Sequence, residues 1–206
     1  MTEWQLSPKP VEYPEALAAM ETHVDAMIAG KADEKIWLLE HPPLYTSGTS
    51  ADAAELLAPQ RFPVYPTGRG GRYTYHGPGQ RVAYVMADLR ARGRDVRAYV
   101  QNLEQWVISA LAEFGVKAAQ REGRIGLWVE HNGREEKIAA IGVRIRKWVA
   151  YHGVAINVNP DLSHFAGIIP CGISSYGVTS LNALGIDVKM NQLDDALKSS
   201  WNRVFK

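Results

Sequence analysis

Few residues in this sequence can do covalent chemistry. One cysteine, Cys171, occurs, in Ala166-Gly-Ile-Ile-Pro-Cys-Gly-Ile-Ser174. A lone thiol cannot form an internal disulfide or a cysteine-rich metal site, so it is either a packed apolar residue or a nucleophile. A second stretch is Lys137-Ile-Ala-Ala-Ile-Gly142. On a strand, Lys137 shares parity with Ala139, Ile141, Val143 and Ile145, and the opposite parity carries Arg144 and Arg146. A lysine heading an apolar face either snorkels to solvent or places its ammonium in a partly desolvated pocket. In a pocket it could stabilise a neighbouring thiolate and, once neutral, accept a proton. The third stretch, Thr67-Gly-Arg-Gly-Gly-Arg-Tyr-Thr-Tyr-His-Gly-Pro-Gly-Gln80, holds five glycines among its fourteen residues. Glycines let backbone pass close to a ligand, and an adjacent strand could present Tyr73, Tyr75 and His76 to it. A hairpin with a structural turn at each end accounts for the same composition. No Gly-Lys-Ser/Thr follows, so the segment is not a phosphate loop.

The six histidines (His23, His41, His76, His131, His152 and His164) form no His-x-x-x-His pair and no cysteine–histidine cluster, so no metal site is expected. His76 and His152 lie in segments that look like part of a site. No Gly-x-Ser-x-Gly nucleophile elbow is present.

These residues need elements to position them. Leu17, Met20, Val24 and Met27 recur at helical spacing behind Pro14, which predicts a helix over Tyr13 to Ile28. Lys35 to Glu40 reads as a buried strand. Thr46 to Thr67 reads as loop with one helical turn near Ala53 to Leu57. Arg81 to Leu89 reads as a strand with Val82, Tyr84 and Met86 on one parity. Asp95 to Phe114 carries the clearest helical stripe. Strands are expected at Val116 to Gln120, Ile125 to Glu130, Glu136 to Arg146 and Trp148 to Asn157, with a tight turn at Asn132-Gly133. A last helix is expected over Asn191 to Phe205. The irregular order of strands and helices argues for α+β rather than a doubly wound sheet. No linker or repeat divides the chain, so one catalytic domain over 1–206 is expected.

Of 206 residues, 46% are hydrophobic and 22% charged, enough for a substantial core. A net charge of +1 argues against a general nucleic-acid binder but leaves room for a local basic patch. Single cysteine usage fits a reducing compartment. The start shows no basic, then apolar, signal pattern, and no apolar run reaches membrane-spanning length, so a cytoplasmic protein is expected.

The ordered set of motifs resembles the lipoyl(octanoyl) transferase family. It comprises His41-Pro-Pro-Leu-Tyr-Thr-Ser-Gly48, Gly68-Arg-Gly-Gly-Arg-Tyr-Thr-Tyr-His-Gly-Pro-Gly-Gln80, Lys137-Ile-Ala-Ala-Ile-Gly142, His152-Gly-Val-Ala155, Ile169-Pro-Cys-Gly172 and Val178-Thr-Ser-Leu181. The resemblance implies a biotin/lipoate protein ligase-like fold, a mixed β-sheet flanked by helices. It implies transfer of an octanoyl or lipoyl group from acyl carrier protein to a lysine of lipoyl domains, those of 2-oxoacid dehydrogenase E2 subunits and the glycine cleavage H protein. Membrane and nucleic acid have no part in that scheme, and it needs no cofactor. Cys171 corresponds to the acyl-thioester cysteine and Lys137 to the lysine that lowers its pKa. Substrate contacts correspond to Arg69, Gly70, Gly71, Arg72, Tyr73, Thr74, Tyr75 and His76, to Ala140, Ile141 and Gly142, and to Gly153, Val154 and Ala155. Ser174-Ser175-Tyr176 departs from the family pattern. Both implied protein partners are acidic, so Arg69, Arg72, Arg144, Arg146 and Lys147 form either a docking patch or a solvated face. The rivals are an ATP-dependent lipoate or biotin ligase of the same fold, which needs no nucleophilic cysteine, and a non-catalytic acyl- or protein-binding module.

Overall fold

In a computed structural model the described residues are 2–169 and 176–205. Eight strands among them make one sheet. They are β1 (Glu3–Leu6), β2 (Lys35–Leu39), β6 (Gln80–Asp88), β7 (Ala119–Arg121), β8 (Arg124–His131), β9 (Arg134–Arg146), β10 (Val149–Asn157) and β11 (Gly177–Val178). Their order is β1-β2-β6-β10-β9-β8-β7, with β11 on the start of β9. Three more, β3 (Leu44–Ser47), β4 (Val64–Pro66) and β5 (Thr74–His76), form a small second sheet in the order β4-β3-β5. The helices are α1 (Tyr13–Ile28), α2 (Val96–Ala112) and α3 (Met190–Val204). This is the α+β arrangement expected, a mixed sheet between helices.

Alternation along β6 explains the layering. Ala83, Val85 and Ala87 join Ile36 and Leu38 in a core with Trp106 and Leu111 of α2 and Leu197 and Trp201 of α3. Val82, Tyr84 and Met86 face the other way, with Trp37 and Leu39, and pack on Met20, Val24 and Met27 of α1. A strand buried on both faces reads as a continuous apolar run. The sequence parity marked only one of its faces.

Helix boundaries follow local chemistry. Pro14 stands in the first turn of α1, where its missing N–H costs nothing. The Asp95 carboxylate caps α2 by accepting from Ala98 N at 2.9 Å. Asn132 and Gly133 both take left-handed φ (51° and 70°), as the tight β8–β9 turn demands.

Three expectations need correction. The stretch read as loop, Thr46 to Thr67, holds the end of β3 and the whole of β4, each too short to show a period. β1 was not expected either: three of its four residues are exposed, and it is held by parallel pairing with β2 and a Lys35–Glu3 ion pair at 3.2 Å. The first strand after α2 begins at Ala119 rather than Val116, although Val116 and Ala118 are buried in the first core.

One buried charge pair ties the sheet to α3. Arg81 Nε and Nη2 donate to Asp194 at 2.7 and 2.9 Å, both side chains almost wholly enclosed. Removing one partner strands a buried charge. Arg81→Leu is expected to cost about 3–5 kcal/mol, read from the urea unfolding midpoint. A loss below about 1 kcal/mol would mean that solvent reaches Asp194.

Candidate active site

A cavity of about 300 Å³ is bounded by β6, β10 and β9 and by the glycine-rich segment leading into β5. Its floor is a strip of cross-strand neighbours. Ala140 pairs with Ala155 and Gly142 with Gly153, while Val82 and Tyr84 of β6 pair with Ala155 and Gly153. Residues opposite one another project on the same face. Four small residues in two adjacent pairs therefore leave a trough in an otherwise filled sheet. A Cβ on Gly142 would come within 2.9 Å of Arg69 Cδ, so glycine is what lets the arginine lie across the strand. Ile141 and Val154 also border the cavity, although they belong to the first core.

Arg69 organises the opposite wall. Its guanidinium donates to the carbonyls of Thr46, Gly70 and Arg72 at 3.0–3.1 Å and to Thr46 Oγ1 at 2.7 Å. Gly70 N donates to the Val143 carbonyl at 2.9 Å, which fastens the glycine-rich segment to β9. Gly70, Gly71, Arg72, Tyr73, Thr74 and His76 all line the cavity with it. Tyr75 does not. Alternation along β5 turns it the other way, into a cluster with Tyr45, Phe165 and Ile168, where its Oη lies 2.8 Å from His164 Nδ1.

Lys137 lines the cavity and is 5% exposed. The simple parity reading of β9 fails at this point. Leu127 pairs with Ala139 and the next residue, Trp128, with Lys137, so Ile138 is an extra residue in β9. A bulge lets two consecutive residues, Ile138 and Ala139, enter the same core, and it reverses the parity of Lys137 relative to Ala139. Lys137 Nζ donates to the Ile125 carbonyl at 3.0 Å. Cys171 lies outside the described residues. On its N-terminal side, Ile169 N donates to the Glu55 carbonyl at 2.8 Å; on its C-terminal side, Gly177 and Val178 pair with Glu136 and Lys137.

Four of the five basic residues considered as a docking patch have partners within the chain. Arg69 is buried as described, Arg72 is paired with Glu55, and Arg144 and Arg146 with Glu21 and Asp25 of α1. Lys147 occupies a left-handed turn position with φ 48°.

Several cavity residues were missed or only half seen in the sequence. Tyr13, Thr46, Gln80, Val82, Tyr84, His152 and Asn157 all line it. Val82 and Tyr84 share a parity, which was a usable signal. Gln80 and Asn157 are polar ends of apolar strands, and they form a chain. His76 Nδ1 faces Gln80 Oε1 at 2.7 Å, Gln80 Nε2 donates to Asn157 Oδ1 at 2.9 Å, and Asn157 Nδ2 donates to the Thr179 carbonyl at 2.9 Å. Because that Gln80 oxygen accepts, His76 carries its proton on Nδ1. His41 is fixed likewise, donating from Nδ1 to the Val11 carbonyl at 2.6 Å and accepting from Tyr84 Oη at 2.7 Å. His152 has φ +61°, and its buried Nε2 and the buried Tyr13 Oη have no hydrogen-bond partner among the described residues. Among the described residues no group of three or more His, Cys, Asp or Glu could hold a metal ion.

Burial dominates the acid–base behaviour. It pushes His41 down to about 4 and His76 and His152 down to about 3, with Arg69 and Arg144 adding repulsion at His152. Burial also pushes Tyr13 up to about 12. These histidines are neutral in the folded protein and would gain a proton on unfolding below 6.5, their ordinary value. Their contribution to stability is therefore complete above pH 6.5 and is lost as pH falls towards 4 and then 3. Each is expected to remove about 1.4 kcal/mol per pH unit in that window. Urea midpoints between about pH 7 and pH 5 check this, and a flat profile would mean that the histidines are hydrated or charged in the fold.

The lipoyl protein ligase A/B catalytic-domain model matches residues 12–202. An octanoyltransferase of Paramagnetospirillum magneticum is 62% identical over 204 residues, covering 98% of this chain and 96% of that one. One from Maricaulis maris is 62% identical over 206 residues, covering 98% and 91%. Among solved structures, a bipartite lipoate protein ligase from Thermoplasma acidophilum superposes with a TM-score of 0.71 at 17% identity, covering 99% of this chain and 84% of that one. A lipoate-protein ligase A bound with ATP gives 0.72 at 16%, covering 98% and 85%. These two likenesses concern the fold, the biotin/lipoate ligase-like architecture anticipated from the motifs. With a family model spanning nearly its whole length and close relatives of matching extent, the chain belongs to the lipoyl protein ligase A/B catalytic-domain family.

Proposed function

We propose that this protein is an octanoyltransferase of protein lipoylation. It takes an octanoyl group from a thioester donor, acyl carrier protein, and delivers it to a lysine of a lipoyl domain. The observation that carries the reading is the trough of small residues running along β9 to Lys137, in a chain 62% identical to octanoyltransferases. An apolar slot with a buried amine beside it suits an acyl chain with a reactive end.

The chemistry assigns Cys171 as nucleophile. Its thiolate attacks the donor carbonyl, a new C–S bond forms, the donor C–S bond breaks, and the donor thiol leaves. This exchange of one thioester for another is nearly isoenergetic, so no ATP is consumed. The acceptor lysine amine then attacks the acyl-enzyme, the C–N bond forms and the Cys171 C–S bond breaks. Lys137 stabilises the thiolate and the developing oxyanion, and it exchanges the proton that the amine must lose. Backbone N–H groups of the glycine-rich segment are candidate oxyanion donors. Arg69, Gly70, Gly71, Arg72, Tyr73, Thr74 and His76 shape one wall of the acyl site, and Ala140, Ile141, Gly142, Gly153, Val154 and Ala155 shape the other. Lipoyl domains of 2-oxoacid dehydrogenase E2 subunits and the glycine cleavage H protein are the acceptors. The compartment we propose is the cytoplasm, where the proposed protein partners reside; no helix of the described residues is long and apolar enough to cross a membrane.

Intact-mass measurement after mixing with octanoyl-acyl carrier protein, without ATP, tests the reading. A thiol-labile octanoyl adduct is expected on the wild type and not on Cys171→Ser. Transfer that appears only with free octanoate and ATP would move the protein to the ligases. Lys137→Ala should slow alkylation of Cys171 at neutral pH by roughly tenfold or more, given the span of perturbed thiol reactivity. An unchanged rate would remove the thiolate role from Lys137. Chain length gives a third check. At about 0.8 kcal/mol per buried CH₂, kcat/KM should rise roughly fourfold per carbon up to the end of the slot. A flat series from C4 to C8 would mean that the acyl chain is not bound there.

A further inference from the structure

Lys137 is held by groups of β8. Its Nζ lies 4.6 Å from the centroid of the Trp128 ring while it donates to the Ile125 carbonyl. The face of an indole and the oxygen of a carbonyl both attract a cation, and the attraction to a ring is strongest where water is excluded. Trp128 is 2% exposed. It is not among the residues that line the cavity.

The juxtaposition follows from the bulge. With regular pairing beyond Leu127–Ala139, Trp128 would face Ile138; the extra residue puts it opposite Lys137 instead. The indole is itself held from several directions. Its Nε1 donates to the Arg124 carbonyl at 3.2 Å. Tyr176 meets it edge-on at 5.4 Å. The Arg124 guanidinium lies 4.8 Å from the Trp128 ring and 4.2 Å from the Tyr176 ring, and an ion pair to Glu135 at 2.6 Å anchors it. Tyr176 belongs to the stretch that departs from the family pattern, and this cluster gives it a physical task.

We propose that Trp128 is a positioning residue for acyl transfer: its ring face holds the Lys137 ammonium at the cavity wall, and Arg124 and Tyr176 hold the ring. This rests on the reading of Lys137 as a catalytic group.

The test is steady-state transfer from octanoyl-acyl carrier protein to a lipoyl domain by Trp128→Leu and Trp128→Phe, each made with Lys137 present and in Lys137→Ala. Both variants lose the Nε1 hydrogen bond, so their difference isolates the ring face. Trp128→Leu is expected to lower kcat about tenfold with the donor KM changed less than about twofold, and Trp128→Phe to stay within about threefold of wild type. In Lys137→Ala, Trp128→Leu should cost nothing further. Equal kcat for Leu and Phe, or an undiminished cost without Lys137, would overturn the proposal. If Trp128→Leu does not fold by circular dichroism, fluorinated tryptophans supply a probe of the same shape with a weakened ring face. They should lower kcat stepwise in wild type and not in Trp128→Phe; no change in wild type overturns the proposal. Should wild type itself fail to transfer, or Lys137→Ala transfer normally, the functional reading falls. Normal transfer that depends on Lys137 and ignores the Trp128 ring removes only this inference.

Discussion

The whole site depends on a shortage of side chains in the middle of a sheet. β9 and β10 are central strands, and their other face is filled by the core beneath α2 and α3. On the cavity face, Ala140, Gly142, Gly153 and Ala155 give up the volume that larger residues would occupy. Native interiors are close-packed, so a trough of this kind is a deliberate loss of packing that the rest of the fold must offset. The two apolar cores on either side of β6 do so. Arg69 then roofs the trough, and it can lie there only because Gly142 has no Cβ. Cavity, arginine and glycine-rich segment are one construction.

Polar groups around the trough are arranged with similar economy. The chain from His76 through Gln80 and Asn157 ends on the Thr179 carbonyl, and Thr179 N donates in turn to the Lys137 carbonyl at 2.9 Å. One set of hydrogen bonds thus fixes the tautomer of a cavity histidine and the backbone beside Lys137. A satisfied buried network of this kind is rigid, because breaking any member leaves its neighbour unpaired in low dielectric. His152 and Tyr13 contrast with it. Their buried Nε2 and Oη lack partners among the described residues, and His152 holds a left-handed backbone. Such strain and such orphaned atoms persist where the surroundings over-determine them, and in this fold both belong to the cavity wall.

Much of the fold was legible because it rests on long periodic segments. α1, α2, α3 and the long strands β6, β8, β9 and β10 appear close to where apolar spacing put them. The short strands β1, β3 and β4 carry no period, and their partners are distant in sequence, so nothing local marks them. The same division runs through the site. The residues that the motifs named for substrate contact line one cavity except Tyr75, where alternation in a three-residue strand turns the side chain into another cluster. Lys137 shows the limit most clearly. A parity count along β9 put it on the apolar core face, and a single extra residue, Ile138, reversed that. A bulge is decided by pairing with β8, which no window on β9 can contain. The ion pairs of Arg144 and Arg146 were hidden for a related reason, since their partners Glu21 and Asp25 of α1 lie more than a hundred residues away.

The energetics explain why so spare a site can suffice. In the proposed reaction a thioester donor arrives already activated, and passing its acyl group to an amine is downhill, so that step would need neither an adenylate nor a metal. The proposed reaction asks the protein to bind an alkyl chain, offer a thiolate and steady a cation beside it. The trough, by omission of side chains, has the shape for the first. For the last, a bulge brings a lysine onto the cavity side of β9, beside an aromatic face. Placing that ammonium in a partly desolvated wall strengthens its field on any neighbouring negative charge, since little water remains to screen it. The same desolvation is a cost unless the ammonium is held by groups that favour a cation, and the Ile125 carbonyl and the Trp128 ring are such groups. The position of Lys137 is thus set by one local irregularity in β9, and the chemistry proposed for this cavity depends on where that irregularity falls.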